Sequence, residues 1–238
     1  MKYTFDTYRK ILESLIVNYK FKFFDEFSLN NFVYLRHDID IMPENITILM
    51  NIEKELDIRS TWFFQPNNRF YNIFSEEIRN LINTLLNHNF SIGLHLDCQR
   101  FESVDQIQQE ATHWYHFCSR YYALSPVVSF HRPKPHLLAN IQIPGFVNTY
   151  EESFFQRIRY FSDSKRKRFL EPLMSSIQSD HNTSIQLVTH PYWWDYEHLD
   201  IQSLLTRYEN IQLNKLRRAL AQETVNYERY FEGRQVPK

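Results

Sequence analysis

Glycine is nearly missing from this chain, with 3 among 238 residues, and that scarcity speaks against Gly-rich loops that cradle phosphate at positive φ. Neither a Walker motif nor a dinucleotide-binding fingerprint occurs. Cysteine is almost as rare. Cys98 and Cys118 are too few for a disulfide framework, so a reducing, cytoplasmic location is the expectation. A dominant charge is missing as well: a formal net charge of -1 offers no general attraction for phosphate backbones and argues against nucleic acid as a partner. No stretch reaches the ~20 apolar residues of a membrane span, so no transmembrane segment is expected. The opening Met1-Lys2-Tyr3-Thr4-Phe5-Asp6 leads into Arg9, Lys10 and Glu13, unlike the apolar core of an export signal.

Aromatic and aliphatic residues are what the chain has in quantity. It carries 20 Phe and 15 Tyr, and 43% hydrophobic against 23% charged residues is the balance of a folded domain. One domain over 1–238 is expected at this length. Tyr8, Ile11, Leu12, Leu15, Ile16 and Tyr19 recur at helical spacing and predict an N-terminal amphipathic helix. After it, strand and helix alternate. Phe32-Val33-Tyr34-Leu35 reads as a strand, and Pro43-Glu44 opens a helix with Ile48, Leu49, Ile52 and Leu56 on one side. Ser60 to Phe64 reads as the next strand, followed by a helix that Ser75 caps; Phe90 to Leu94 precedes a helix that opens on Ser103 and Gln106. Further strands are read at Val127–Phe130, Phe146-Val147, Ile158–Phe161 and Ile185–Val188, the middle two with poorly marked flanking helices. About seven strands alternating with helices imply right-handed crossovers and a parallel sheet, open or closed into a barrel. A long polar helix is expected from about Ile201 to Tyr230, packed along the barrel or paired between subunits, which leaves a homo-oligomer open.

Parallel α/β folds gather their functional groups at the carboxyl ends of the strands. Those ends read Arg36-His37-Asp38-Ile39-Asp40, His95-Leu96-Asp97, His131-Arg132-Pro133, Ser162-Asp163-Ser164 and Thr189-His190-Pro191. Asp38 and Asp40 are two apart and project to one face of a strand. Two carboxylates in one small site repel each other unless a proton or a cation intervenes, and a divalent metal with His95 and His131 as nitrogen donors resolves the conflict. The blander reading is an Asp pair capping the following helix, with His95 as a satisfied core residue.

Taken in order, these segments resemble the polysaccharide deacetylase family, in the branch whose first motif is Arg-His-Asp-x-Asp in place of Thr-Phe-Asp-Asp. The resemblance runs from about Phe32 to Trp194 and includes Leu35 to Asp40, Ser91 to His95, Ser129 to Pro133, Tyr160 to Ser164 and Leu187 to Trp194. It implies a distorted (β/α)7 barrel, one divalent ion such as Zn2+, and removal of an N-acyl, typically N-acetyl, group from a sugar or sugar-containing intermediate. By the same resemblance Asp38 is the general base toward water, Asp40 a metal ligand and His190 the general acid. Asp163 is placed to support a cationic His190, and Arg132 to hold Asp38 ionised. The family commonly has a second metal histidine four residues after the first, where this chain has Gln99; His131 is the first choice for the third ligand and Asp97 the second. Two alternatives stay open: a catalytically inactive deacetylase-like protein of carbohydrate binding or assembly, and a metal-dependent hydrolase of a non-sugar amide.

Other features are read on both sides. Tyr192-Trp193-Trp194 offers an aromatic wall for a sugar ring, with Trp193 and Trp194 as candidate substrate contacts, or else packs the barrel against a helix. Lys165-Arg166-Lys167-Arg168 suits an anionic sugar or a solvated loop. His113 and His116 lie off the apolar face of their helix and are expected in solvent. Cys98 lacks the partner that a nucleophilic thiol requires.

Overall fold

The computed structural model describes residues 2–41, 43–138, 141–164, 166, 169–180 and 182–225. The chain forms two compact units, residues 1–196 and 197–238, and the motif-bearing stretch lies within the first. In that first unit the strands are β1 (Lys20–Phe21), β2 (Phe32–Ile39), β3 (Ser60–Phe64), β4 (Ser91–Asp97), β5 (Val127–His131), β6 (Val147–Asn148), β7 (Arg159–Ser162) and β8 (Ile185–Thr189). Its helices are α1 (Phe5–Ile16), α2 (Ile46–Glu55), α3 (Glu76–Asn87), α4 (Val104–Cys118), the short α5 (Pro135–Leu138) and α6 (Glu152–Phe155), and α7 (Leu170–Ser179). The second unit carries α8 (Ile201–Glu223), which opens where the Asp200 side chain accepts the Ser203 N–H at 2.7 Å. The part of the expected last helix beyond residue 225 lies outside the described residues. Among the described residues no helix is long and apolar enough to cross a membrane.

All the strand pairs are parallel, in the order β6-β5-β4-β3-β2-β8-β7, with β1 added to the start of β2. Read as a circle, this is the chain order of a seven-stranded (β/α) barrel with one seam unpaired, between β6 and β7. Side chains bridge that seam. Gln186 of β8 donates Nε2 to the carbonyls of Thr149 at 3.0 Å and Phe154 at 2.7 Å, and Phe155 packs both on Tyr150 and, at 4.8 Å between centroids, on Tyr160 of β7. The weak sequence marking of β6 and β7 has its physical counterpart here: β6 has two residues, and only the four-residue helices α5 and α6 stand beside it.

Strand alternation sorts the core into an outer and an inner layer. Val33, Leu35 and Ile39 of β2, Trp62 and Phe64 of β3 and Ile92 of β4 pack outward with Leu12 and Leu15 of α1, Leu49 of α2 and Ile82 of α3. The predicted Ser75 and Ser103 caps each accept a backbone N–H at the start of α3 and α4, and Thr4 does the same for α1; of the predicted α1 stripe, Ile16 is exposed. Inward, Tyr34, Phe63, Val127, Phe154 and Ile158 close around Phe24 and plug the barrel floor. The plug depends on Gly93, because a Cβ there would stand 2.6 Å from Phe63 Cε1 and 2.9 Å from the Val127 carbonyl oxygen. Above this apolar floor, the inward positions become polar.

Candidate metal and proton-transfer site

Inward positions of β2 are Tyr34, Arg36 and Asp38, with Asp40 next in line beyond the strand. The sequence reads an apolar run from Phe32 to Leu35 with a polar end from Arg36 to Asp40; the structure keeps that end in the strand as far as Ile39, where each polar residue after Leu35 has a buried partner. Asp38 Oδ2 accepts Arg36 Nη2–H at 2.8 Å, and Asp38 Oδ1 accepts the Ser129 hydroxyl at 3.3 Å. Arg36 also donates to Gln186 Oε1 at 3.0 Å and to Thr149, so this fully buried cation has fixed acceptors. Burial alone raises the Asp38 carboxyl; Arg36, His95 and His190 outweigh it and hold the group below the ordinary carboxylate value.

Asp40 stands at the centre of the imidazoles. Its Oδ1 lies 3.1 Å from His95 Nε2 and 2.9 Å from His131 Nδ1, and it accepts Gln65 Nε2–H at 2.9 Å. Burial again opposes its charge, and the His131 and His95 rings, with His190, bring the carboxyl well below its ordinary value. One ligand atom from each of Asp40, His95 and His131 falls within 4.8 Å of the others. These residues suit a cation on a direct observation. His95 Nδ1 is fixed by the Ser129 hydroxyl at 2.6 Å, which aims the buried Nε2 at Asp40 Oδ1, 3.1 Å away and outside hydrogen-bond alignment. A buried nitrogen oriented through its other ring nitrogen, with a carboxylate oxygen beside it, is what a metal-ligating histidine presents.

The opposite proton-transfer group comes from the end of β8. His190 Nδ1–H donates to Asp163 Oδ1 at 2.5 Å, and the His190 backbone N–H donates to Asp163 Oδ2 at 2.9 Å. His190 Nε2 faces Asp40 Oδ2 at 3.7 Å. Burial disfavours the imidazolium, yet Asp163, Asp40 and Asp38 together push its pKa up to about 9. The charged groups and the cavity of about 320 Å3 they line thus contain a carboxylate held ionised and an imidazole held protonated at neutral pH.

The structure brings together Asp38, Asp40, His95, His131, His190 and Asp163, and it moves the other expected residues elsewhere. Arg132 does not touch Asp38: it donates to Asp97 Oδ2 at 2.8 Å, and the partner of Asp38 is Arg36. The reason is backbone conformation. Arg132 sits at φ 48, in the left-handed region, just after the strand that turns His131 inward. Asp97, the second choice for a ligand, is occupied by Arg132 and by the Gln99 N–H at 3.2 Å. Trp194 is no sugar platform: it is fully buried, donates Nε1–H to Asp163 Oδ2 at 3.0 Å, and packs on Tyr3 and Tyr8. Trp193 lies against Tyr192, at 4.2 Å between centroids, and of the three aromatics only Tyr192 lines the cavity. A short 3-10 turn, Pro191–Trp193, causes this by sending the chain back under α1. His113 and His116 are exposed, as expected, and Cys98 is buried with its thiol pushed up to about 12 by burial and Asp97. Lys165, Lys167 and Arg168 of the basic tetrad lie outside the described residues.

Arg36 and Tyr160 stand in the quoted motifs without a role, and Gln65 and Tyr150 were not singled out from the sequence. For Arg36 a signal existed: it is two residues before Asp38 and shares its face. The others come from loops and strands whose inward position depends on register, which pairs Asp38 with Phe63 and so sets Gln65 beside Asp40.

No family model and no curated protein matches the sequence. Among solved structures the chain is similar to a CE4 family pseudoenzyme from Bacillus anthracis, at 13% identity and a TM-score of 0.47 over 75% of this chain and 60% of that one. It is similar also to the chitin deacetylase of the fungal pathogen Colletotrichum lindemuthianum, at 12% identity and a TM-score of 0.45 over 78% and 84% of the two chains. A mutant of the bacterial pseudoenzyme with restored enzymatic activity shows 14% identity and a TM-score of 0.42 over 79% and 62%. The chain therefore spans about 60% of the length of the bacterial pseudoenzyme. The bacterial neighbour is a CE4 family pseudoenzyme and the fungal one a chitin deacetylase.

Proposed function

We propose that this chain is a metal-dependent amide hydrolase of the polysaccharide deacetylase type, removing an N-acyl group, N-acetyl foremost, from a sugar or a sugar-containing intermediate. The observation that carries the reading is one cavity with three parts: the Asp40, His95 and His131 donors, the Arg36-held Asp38 and the Asp163-held His190. Two imidazoles and a carboxylate suit zinc, which when bound supplies a Lewis acid toward the scissile carbonyl and acidifies water. Asp38 accepts the proton of the attacking water through Oδ1, which takes a long 3.3 Å bond from the Ser129 hydroxyl, while Oδ2 is held by Arg36 at 2.8 Å. His190 faces the chamber with Nε2–H while Nδ1 stays on Asp163, and donates that proton to the departing nitrogen. Tyr192 gives a sugar ring an aromatic face beside the pair. The substrate pool we propose is cytoplasmic, on the strength of two buried free cysteines.

The test pairs elemental analysis with acyl release from a panel of N-acetylated sugars. About one divalent ion per chain is expected, lost in an Asp40→Ala, His95→Ala double variant because two of three protein donors are gone. Asp38→Asn and His190→Ala are each expected to lower turnover by about 10²-fold or more while keeping the ion. Loss of the ion from Asp38→Asn with retention in Asp40→Asn reverses the two carboxylates. A fully loaded parent chain that releases nothing from any amide replaces this reading with a non-catalytic sugar-binding one.

A further inference from the structure

A second cavity, of about 620 Å3, shares Asp40, His131, Arg132 and Tyr192 with the reaction chamber, and the hydrolysis described above makes no use of the rest of its lining. That lining is built. Asn68 donates Nδ2–H to the Asp40 carbonyl at 2.9 Å, and its Oδ1 accepts the N–H groups of Phe70 at 2.6 Å and Tyr71 at 3.2 Å. Tyr71 closes the turn by donating its hydroxyl to the Ile39 carbonyl at 2.8 Å. The turn therefore hangs on the end of β2 and presents Arg69 and Phe70 to the cavity, with Phe70 49% exposed.

Cations outnumber anions in this lining: Arg69, Arg100 and Arg132 face Asp40 and Asp97. Arg100 is engaged by Glu110 and Arg132 by Asp97, whereas Arg69 has no carboxylate in ion-pair contact among the described residues. Arg132 borders both cavities, with its backbone in the left-handed region. Its side chain is 49% exposed, so a ligand can replace Asp97 on it. A guanidinium fork pairs with phosphate or carboxylate oxygens, and a neutral sugar has no group to match it.

We propose that the second cavity binds an anionic substituent, a phosphate or a carboxylate, on the acylated sugar, held by Arg69 and Arg132 with Phe70 against the ring. The proposal rests on the hydrolase reading for the sugar and adds its charge.

Equilibrium titrations of the full chain separate the two. The probes are N-acetylglucosamine, N-acetylglucosamine 1-phosphate, N-acetylmuramic acid and glucose 1-phosphate, which carries the phosphate without the amide. The phosphorylated or the carboxylated sugar is expected to bind at least about tenfold tighter than the neutral one, and the stronger of the two identifies the anion. Arg69→Gln and Arg132→Gln are each expected to weaken anionic probes by about tenfold and flatten the salt dependence, and Arg69→Gln, which lies outside the reaction chamber, to leave N-acetylglucosamine unchanged. Thermal melts of both variants confirm an intact fold, as expected for exposed side chains. Equal affinity for charged and neutral sugars, equal weakening of both by the substitutions, or binding of none overturns the proposal. Anionic sugars that bind with this preference but are not deacylated leave the cavity assigned and remove the hydrolase reading; neutral amides cleaved with no charge preference do the reverse.

Discussion

Arg36 fixes the charge of the site from beneath. It is fully buried, and among the described residues the carboxylate it pairs with is Asp38. Arg36→Met removes the compensating charge from a buried carboxylate, and breaking such a pair costs about 3–5 kcal/mol. Arg132→Met, by contrast, alters a half-exposed pair and is expected to change stability by less than about 0.5 kcal/mol. Urea unfolding of the two variants measures the difference. Equal effects would mean that Arg36 contributes packing rather than charge. The exchange of roles between these arginines shows why adjacency in sequence misleads in a barrel: Arg132 follows a metal-donor candidate directly, while Arg36 stands on the same strand face as the base.

At the scale of elements, β2 joins two polar networks that share no atoms. On its outer face His37 lies 2.7 Å from Glu53 of α2, bonds Thr189 of β8 at 2.6 Å and stacks on Trp62 of β3 at 3.8 Å. Glu53 also accepts the Tyr8 hydroxyl of α1 and the Ser60 hydroxyl of β3, both at 2.5 Å. His37 is the neighbour of Asp38 in sequence and Thr189 the neighbour of His190, so this network ties α1 and α2 to the two strands that carry the base and the acid. Its members act as a unit: Glu53→Gln and Tyr8→Phe are each expected to destabilise, and the double variant to lose about 0.5–3 kcal/mol less than their sum. A double-mutant cycle in urea measures the coupling, and strict additivity would show independent bonds. Helices α1 to α4 and α8 and most strands were legible because burial imposes a period, as in Ile78, Ile82 and Leu85 of α3, whereas α5, α6 and α7 were not read. The burial of the polar end of β2 was not. Arg-His-Asp reads as a polar strand end, and only tertiary partners from five other elements make it an interior. The aromatic pair Trp193 and Trp194 failed for a related reason, since a 3-10 turn, invisible to periodicity, decides which ring of the three meets the cavity.

Over the whole molecule, the site leaves its mark on stability as pH changes. In protein stripped of divalent cations, His190 has a folded pKa of about 9 against 6.5 unfolded, so its contribution is complete below 6.5 and is lost as pH rises through 9. Urea midpoints taken from pH 6 to 10 are expected to fall across that window in the parent chain and to lose this decline in His190→Gln. A parent chain that gains stability there has a neutral His190, and the acid must then be sought elsewhere.

The interleaving along β2 also constrains how this gene can change. Arg36 and Asp38 point into the barrel, while Leu35, His37 and Ile39 point out. Point substitutions test these positions singly, but gain or loss of one codon within the strand exchanges the two faces beyond it. The guanidinium and the carboxylate would then face helices α1 and α2, and His37 would enter the chamber without its glutamate. Lineages descended from this sequence can therefore vary the strand residue by residue, while its length is locked from both sides of the sheet at once.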